Sequence, residues 1–293
     1  PGSSSDAAPT VTLGSVGTYS MTVSAQNSSG TSSLEFSFEV LPALPNITAV
    51  APLGGVEGTS YSPVLTNTGG DITSWSWHFG GGATPNASNS ETPTVTLTGE
   101  GTYSASVTGT NAAGSDTYNF TLTVDPESPD LTNVSVYSGV TGTTFSPTAT
   151  NAGGTVASWS WNFGGGASPN TSSSGTPSVT LGTVGTYSAS VTATNVTGSD
   201  TYNFTLTVNP EAPNITAVTP TSGTNGDSVQ FSASNSGGAA TSWEWNFDGG
   251  ATPDTPTSES PTVTLGAAGT YNCSVTATNV TGSHTYNFTL TVN

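Results

Sequence analysis

Apolar and polar residues alternate with a period of two along much of this chain. In segment 201–208, hydroxyl and amide side chains alternate with apolar ones at Tyr202, Phe204, Leu206 and Val208. Such alternation predicts a β-strand with one buried and one solvent-facing side. No segment shows the 3.6-residue period of a helix, so the pattern predicts an all-β protein.

The neighbouring segments add further strands. The preceding strand alternates in the same way, and Asn195-Val-Thr-Gly198 between the two predicts a hairpin. A third strand carries Trp159, Trp161 and Phe163 on one face and ends in three glycines, which do not continue a regular strand. Further short strands are predicted at 143–149 and 176–181.

The whole pattern recurs every 84 residues. Trp75, Trp159 and Trp243 are 84 residues apart, and the octapeptide TYNFTLTV occurs unchanged at 117–124, 201–208 and 285–292. A fixed period of this length indicates tandem modules. Six or seven short strands in each period, with turns between them, predict a tandem array of immunoglobulin-like β-sandwiches.

Short segments with two prolines separate the modules and predict stiff, extended linkers. The resulting modules cover 43–126, 127–210 and 211–293, and 1–42 matches the second half of a module. Because Pro1 is equivalent to Pro85 within the repeat, we expect the chain to be a mature fragment or a window of a longer polypeptide.

The half-module is expected to contain the last three strands of a module without the tryptophan strand. Its apolar face would then be left uncovered, with the side chains of Tyr19, Val23, Phe36, Phe38 and Val40. We expect preceding sequence, or an adjacent copy in a head-to-tail filament, to cover that face.

Composition excludes several classes of partner. The chain has no Lys or Arg and a formal net charge of −18, although only 6% of its residues are charged. Binding to nucleic acid and to anionic membrane surfaces needs cationic side chains. No segment has the pattern of a membrane span, so no membrane insertion is expected within this segment. The absence of trypsin sites suits an extracellular or cell-surface location.

Three short motifs carry a family resemblance: Trp161-Asn-Phe-Gly-Gly-Gly166, Gly185-Thr-Tyr-Ser188 and the strand end Ala193-Thr-Asn195. Together they resemble the PKD (polycystic kidney disease) domain family, with its W-D-F-G-D-G and P-G-x-Y-x-V motifs. The resemblance covers all three full modules, and its second half covers 1–41. It implies β-sandwich modules of surface or secreted proteins, which in long arrays form stalks, adhesins or fibres.

The chain departs from the family where acidic residues are expected. The Asp after the tryptophan is replaced by His78, Asn162 or Asn246, and the Asp between the glycines is replaced by Gly81, Gly165 or Gly249. Family members that bind calcium would use such acids. The nearest acidic pair is Asp248 and Asp254, in one module only, so no metal is expected.

No catalytic set emerges from the sequence. His78 and His284 occupy non-equivalent positions in different modules, and no acid pair lies near either of them. We therefore expect no enzyme activity and no cofactor. Cys273, equivalent to Ala105 and Ala189, is expected to fill the core. The tryptophans are interpreted as core aromatics, with sugar-stacking platforms as the alternative.

Asn-x-Ser/Thr sequons are the richest candidate sites, since they can carry covalent N-linked glycans. There are twelve: Asn27, Asn46, Asn86, Asn119, Asn133, Asn170, Asn195, Asn203, Asn214, Asn272, Asn279 and Asn287. By parity, Asn119, Asn203, Asn287 and Asn272 lie on polar strand faces. Asn195 and Asn279 are interpreted as hairpin tips, so all six are expected to reach solvent. Two alternatives remain open: plain polar-face residues, and glycans on the Ser and Thr hydroxyls.

These observations predict a non-enzymatic extracellular structural protein that forms a glycosylated surface fibre or stalk. Its partners would be itself and its glycans. The alternative is a binding array, either an adhesin or a carbohydrate-binding accessory region of a larger secreted protein. An exposed aromatic row or a repeated calcium cluster would favour the alternative.

Overall fold

A computed structural model describes residues 2–135 and 137–293. Every regular element in these residues is a β-strand, which confirms the all-β prediction. The chain divides into two compact units, Pro1–Glu127 and Ser128–Asn293. The first contains the half-module and one full module, and the second contains two full modules.

The half-module forms a two-stranded antiparallel ribbon of β1 (Gly17–Asn27) and β2 (Gly30–Val40), in which Tyr19 pairs with Phe38. The predicted third strand is wrong, because residues 11–13 form no strand. Their equivalents, Val95–Leu97, pair with two strands from the front half of the module, which the half-module lacks. A strand without a partner has no ladder of hydrogen bonds to hold it extended.

The full module of the first unit has ten strands. They are β3 (Ile47–Ala51), β4 (Gly54–Val56), β5 (Ser60–Tyr61), β6 (Val64–Asn67), β7 (Ser74–His78), β8 (Ala83–Thr84), β9 (Ala87–Ser88), β10 (Val95–Leu97), β11 (Gly101–Asn111) and β12 (Gly114–Asp125). The largest sheet has the order β4-β12-β11-β7-β9; β5-β10-β8 and β3-β6 form two smaller sheets. The side chains between these sheets form one apolar core.

The first module of the second unit repeats this arrangement. Its strands are β13 (Leu131–Ser135), β14 (Ser138–Val140), β15 (Thr144–Phe145), β16 (Thr148–Asn151), β17 (Ser158–Asn162), β18 (Ala167–Ser168), β19 (Thr171–Ser172), β20 (Val179–Leu181), β21 (Gly185–Thr194) and β22 (Ser199–Asn209). Its large sheet has the order β14-β22-β21-β17-β19.

The last module has nine strands. They are β23 (Ile215–Thr219), β24 (Ser222–Gly223), β25 (Ser228–Gln230), β26 (Ser232–Asn235), β27 (Ser242–Asn246), β28 (Ala251–Thr252), β29 (Thr262–Leu265), β30 (Gly269–Asn279) and β31 (Gly282–Val292). Its large sheet, β24-β31-β30-β27, has four strands. The segment that follows β28 forms no counterpart of β9 and β19.

The predicted register of strand β22 is confirmed. Phe204 is buried and Asn203 is exposed, so apolar and polar faces lie on the expected sides. Trp161, Phe163, Val191 and Leu206 are also buried, and Tyr187 is half-buried against the same core. The alternation of apolar and polar residues therefore correctly predicts which side chains of this strand lie on the outer face of the large sheet.

Two short strands differ from their predicted bounds. The segment 143–149 was predicted as one strand but forms two, β15 and β16, which belong to different sheets. Pro147 lies between them, and proline lacks the N–H that a continuous ladder needs. In segment 176–181, Pro177 likewise precedes the strand, and only Val179–Leu181 is paired.

Candidate glycosylation sites and an uncovered apolar face

The three repeated sequons of the last strand lie on the outer face of each large sheet. Asn119, Asn203 and Asn287 are exposed, as their parity predicts. Each pairs across the sheet with a serine of the preceding strand, as Asn203 does with Ser190. Within the described part of the chain, none of the three side-chain amides makes a hydrogen bond. These amides are therefore free to be modified.

The expectation of a solvent-facing hairpin tip is wrong at Asn279. This side chain is 6% exposed, and its Nδ2 donates to the carbonyl oxygens of Glu211 at 2.7 Å and Ala239 at 3.2 Å. Its Oδ1 accepts from the backbone N–H groups of Thr281 and Gly282. The residue joins the linker, the loop before the tryptophan strand and the hairpin, which makes it part of the module's framework.

The same arrangement occurs in the first unit, where Asn111 donates to the carbonyls of Ala43 at 2.7 Å and Asp71 at 3.1 Å. Two glycines let the linker approach closely. A Cβ on Gly70 would lie 2.0 Å from the oxygen of Ala43, and one on Gly238 would lie 2.0 Å from the oxygen of Glu211. The linkers are thus held against their modules by backbone contacts.

Asn195 is the equivalent residue of the middle module, and it too departs from the expected exposed tip. It is half-buried, and its Nδ2 donates to the Thr155 carbonyl at 3.0 Å. Its Oδ1 accepts from the N–H groups of Thr197 and Gly198. The side chain fixes the hairpin instead of extending from it.

Asn86 and Asn170 are exposed, but each holds the glycine turn that follows the tryptophan strand. Their Oδ1 atoms accept from the N–H groups of Gly81 and Gly165, both at 2.6 Å. Asp254 takes this place in the last module and accepts from Gly249 at 2.8 Å. An acceptor oxygen is therefore the shared requirement at this position.

The remaining sequons are exposed and differ in how their side chains are used. The Nδ2 atoms of Asn46 and Asn214 donate to the hydroxyls of Thr68 at 2.7 Å and Ser236 at 2.9 Å. In three others the amide nitrogen makes no hydrogen bond with any residue that the structure describes; these are Asn27, Asn133 and Asn272. The Oδ1 of Asn133 accepts from the hydroxyl of Tyr137.

Histidines and acids form structural contacts. His284 Nδ1 accepts a hydrogen bond from the backbone N–H of Ile215 at 3.1 Å. At the equivalent positions of the other two modules, the carboxylates of Asp116 and Asp200 accept from the N–H groups of Ile47 and Leu131, each at 2.7 Å. Among the described residues, no group of three or more His, Cys, Asp or Glu side chains could hold a metal ion.

The lone thiol and the central tryptophans lie in the core, as predicted. Cys273 is 1% exposed, and burial raises the pKa of its thiol to about 11. Trp77, Trp161 and Trp245 are fully buried, and each donates its indole N–H to a serine carbonyl. These rings cannot act as sugar-stacking platforms.

The half-module exposes a face that the full modules bury. Val23 and Leu34 are 55% and 64% exposed, whereas Val107, which is equivalent to Val23, is 0% exposed. Phe36 is 47% exposed, and its equivalent Phe120 is buried. The ribbon therefore presents core-type side chains to solvent, as the sequence predicted, but the prediction is wrong at Val40, which is buried.

A family model described as PKD domain matches residues 47–124 and 132–208, and a second model with the same description matches 210–293. These matches cover all three full modules, so the chain belongs to the PKD domain family. No curated protein matches the sequence. No helix among the described residues is long and apolar enough to cross a membrane.

Several solved structures are similar to the chain. A three-immunoglobulin-domain fragment of titin, in an E-to-A variant, is 18% identical with a TM-score of 0.46, covering 86% of this chain and 97% of its own. The eight N-terminal immunoglobulin domains of Down syndrome cell adhesion molecule are 12% identical with a TM-score of 0.39, and the match covers 87% of this chain and 42% of that one. Three N-terminal domains of the outer capsid protein Hoc of bacteriophage RB49 are 10% identical with a TM-score of 0.33, and the match covers 86% of this chain and 99% of that one.

Proposed function

We propose that this chain is a non-enzymatic, extracellular structural array of PKD modules that builds a glycan-coated surface fibre or stalk. The repeat supports this proposal, because modules joined by short linkers can be added without limit along one axis. The hydrogen bonds of Asn111 and Asn279 to the linkers support it too, since they restrict the freedom of each linker next to its module.

The uncovered face of β1 and β2 is the observation that carries the proposal. Apolar surface left in water costs about 25 cal/mol per Å², so this face favours a cover. The full modules show what fits: the second-layer sheets β3-β6 and β5-β10-β8 pack over the equivalent face, and β7, which carries Trp77, extends the sheet beside β11. We propose that preceding sequence of a longer chain or an adjacent copy covers it. A contact with an adjacent copy, repeated head to tail without closure, produces an open fibre.

The assembly is tested with the purified 293-residue chain by sedimentation and electron microscopy over a range of concentrations. We expect association that rises with concentration and elongated particles. Leu34→Ser with Phe36→Ser should abolish the association. Val64→Ser is the matched control, since Val64 is 62% exposed in the full module of the same unit and should not matter. Equal association of both variants would contradict the proposal.

A second candidate function is a binding array, such as an adhesin or a carbohydrate-binding accessory region. Tyr137 favours it, because its ring is 42% exposed and its hydroxyl contacts the amide of Asn133, a pairing of ring and amide that suits sugar binding. Binding of the chain to immobilised oligosaccharides, lost in Tyr137→Ala, would support this function; equal binding by the variant would exclude Tyr137 as its site.

A further inference from the structure

We propose that N-linked glycans occupy one repeated position, Asn119, Asn203 and Asn287, and that Asn279 and Asn195 stay bare. This assignment rests on the proposed glycan coat and states where that coat is attached. It would place at least one glycan on the outer face of the large sheet in every 84-residue module.

The bond that forms decides which amides qualify. An oligosaccharide carried on a lipid phosphate loses its C1–O bond to the phosphate, and a C1–Nδ2 bond to the asparagine forms. The amide gives up one proton, and the lipid phosphate leaves. An Asn side chain has two N–H donors, so only one remains after transfer. Both donors of Asn279 are used, toward Glu211 and Ala239.

The Thr of each sequon differs between the two kinds of site in the same way as the Asn does. In Asn203-Phe-Thr205, strand parity puts the Asn and the Thr on the outer face and Phe204 in the core, and both polar residues are exposed. In the sequon of Asn279, the hydroxyl of Thr281 donates to the Pro210 carbonyl at 2.5 Å. Both polar groups of that sequon therefore belong to the folded framework.

The surface around the favoured sites suits a sugar. Asn203 borders a shallow, open groove on the sheet, lined also by Ser188, Ser190 and Thr205. Hydroxyl groups of this kind hydrogen-bond readily to sugar hydroxyls. Nearby on the same face, the hydroxyls of Thr192 and Thr201 contact each other at 2.8 Å, and the equivalent pairs in the other modules lie at 2.8 and 2.9 Å. The outer faces of the modules thus share one local environment.

Site-resolved mass spectrometry tests the assignment on the full chain secreted by a eukaryotic host. Trypsin does not cut this chain, and TYNFTLTV is identical in all three modules. Cleavage before Asp puts Asn119, Asn203 and Asn287 in different peptides, 116–124, 200–226 and 254–293, and fragmentation of the last peptide distinguishes Asn279 from Asn287. Enzymatic release of the glycans in heavy-oxygen water then converts each occupied Asn to a labelled Asp.

We expect labelled Asp at 119, 203 and 287 and unmodified Asn at 279 and 195. Asn203→Gln should lower the intact mass by one glycan, whereas Thr205→Ser, which keeps the sequon, should leave the mass pattern unchanged. Asn279→Gln should remove no glycan.

Glycan on Asn279 or Asn195 of the folded protein would overturn the assignment alone, because the coat would still exist. Glycans elsewhere, with Asn119, Asn203 and Asn287 bare, would do the same. An intact mass equal to the 29.1 kDa polypeptide would overturn both the assignment and the glycan coat.

Discussion

The side-chain amide of Asn279 donates a 2.7 Å hydrogen bond to the carbonyl of Glu211, 68 residues earlier in the chain. Asn279→Ala removes this bond and three others, and it leaves carbonyl groups without their donor. We expect the free energy of unfolding to fall by about 2–4 kcal/mol. Urea denaturation measures it. Asn287→Ala, at an exposed site of the same module, is the control and should change it by less than about 0.5 kcal/mol. Equal effects would show that the amide of Asn279 is not structural.

Gly238 allows the linker to approach the last module. A Cβ at this position would lie 2.0 Å from the Glu211 oxygen, so Gly238→Ala must displace the linker. We expect a loss of about 1–3 kcal/mol in the free energy of unfolding, as for other overpacked sites. Gly282→Ala is the control, because its nearest neighbour would be the Cβ of Ala212 at an ordinary 3.6 Å. A neutral Gly238→Ala would contradict the close contact.

The buried and exposed faces of the long strands could be predicted from the sequence, but the use of individual side chains could not, and the predicted six or seven strands per module became nine or ten. The alternation in 201–208 correctly predicted that Phe204 is buried and that Asn203 is exposed. The hairpin motif at Asn279 gave no sign of burial, because its partners Glu211 and Ala239 are far away in sequence. A local pattern reports local geometry and cannot identify a contact made through the fold.

The half-module shows a similar limit. Its apolar face was predicted from parity alone. The absence of the third strand was not predicted, because residues 11–13 have the same alternation as Val95–Leu97. Whether such a segment pairs depends on partners, here β5 and β8, that the half-module does not contain. The parallel edge strands, such as Gly54–Val56, also escaped prediction, because their glycine-rich sequence has no strand signal.

His284 replaces the carboxylate that the other two modules place beside the first strand. Asp116 and Asp200 accept their N–H at 2.7 Å, whereas His284 accepts that of Ile215 at 3.1 Å. Hydrogen bonds to charged acceptors are stronger, so His284→Asp should stabilise the last module by about 1 kcal/mol at neutral pH. Hydrogen exchange of the Ile215 amide reports the change. Asp200→His is the reverse control, and Leu131 should exchange faster in it. Faster exchange of Ile215 in His284→Asp would contradict the prediction.

The buried thiol of Cys273 predicts a loss of stability in alkali. Its pKa is raised from 9.0 to about 11 by burial, so the folded state keeps the proton that the unfolded state releases. The stability associated with the protonated thiol is complete below pH 9 and falls as the pH rises from about 9 to 11.

Denaturation as a function of pH checks this prediction, with Cys273→Ala as control. Alanine occupies the equivalent positions 105 and 189, so the variant should fold. Groups that the two proteins share contribute equally to both curves, so the difference between the curves reports the thiol. The wild type should therefore lose more stability than the variant between pH 9 and 11; parallel curves would show that the thiol does not contribute.

Hydrogen exchange in residues 17–40 gives the most direct test of the proposed array. Residues 101–124 form the equivalent ribbon within a covered module of the same unit, and they serve as the internal standard. In the dilute, unassembled chain, the amides of 17–40 should exchange much faster than those of 101–124, because no second layer protects them. Assembly should slow their exchange to that of the standard. A monomeric chain in which both ribbons exchange equally slowly would contradict the account.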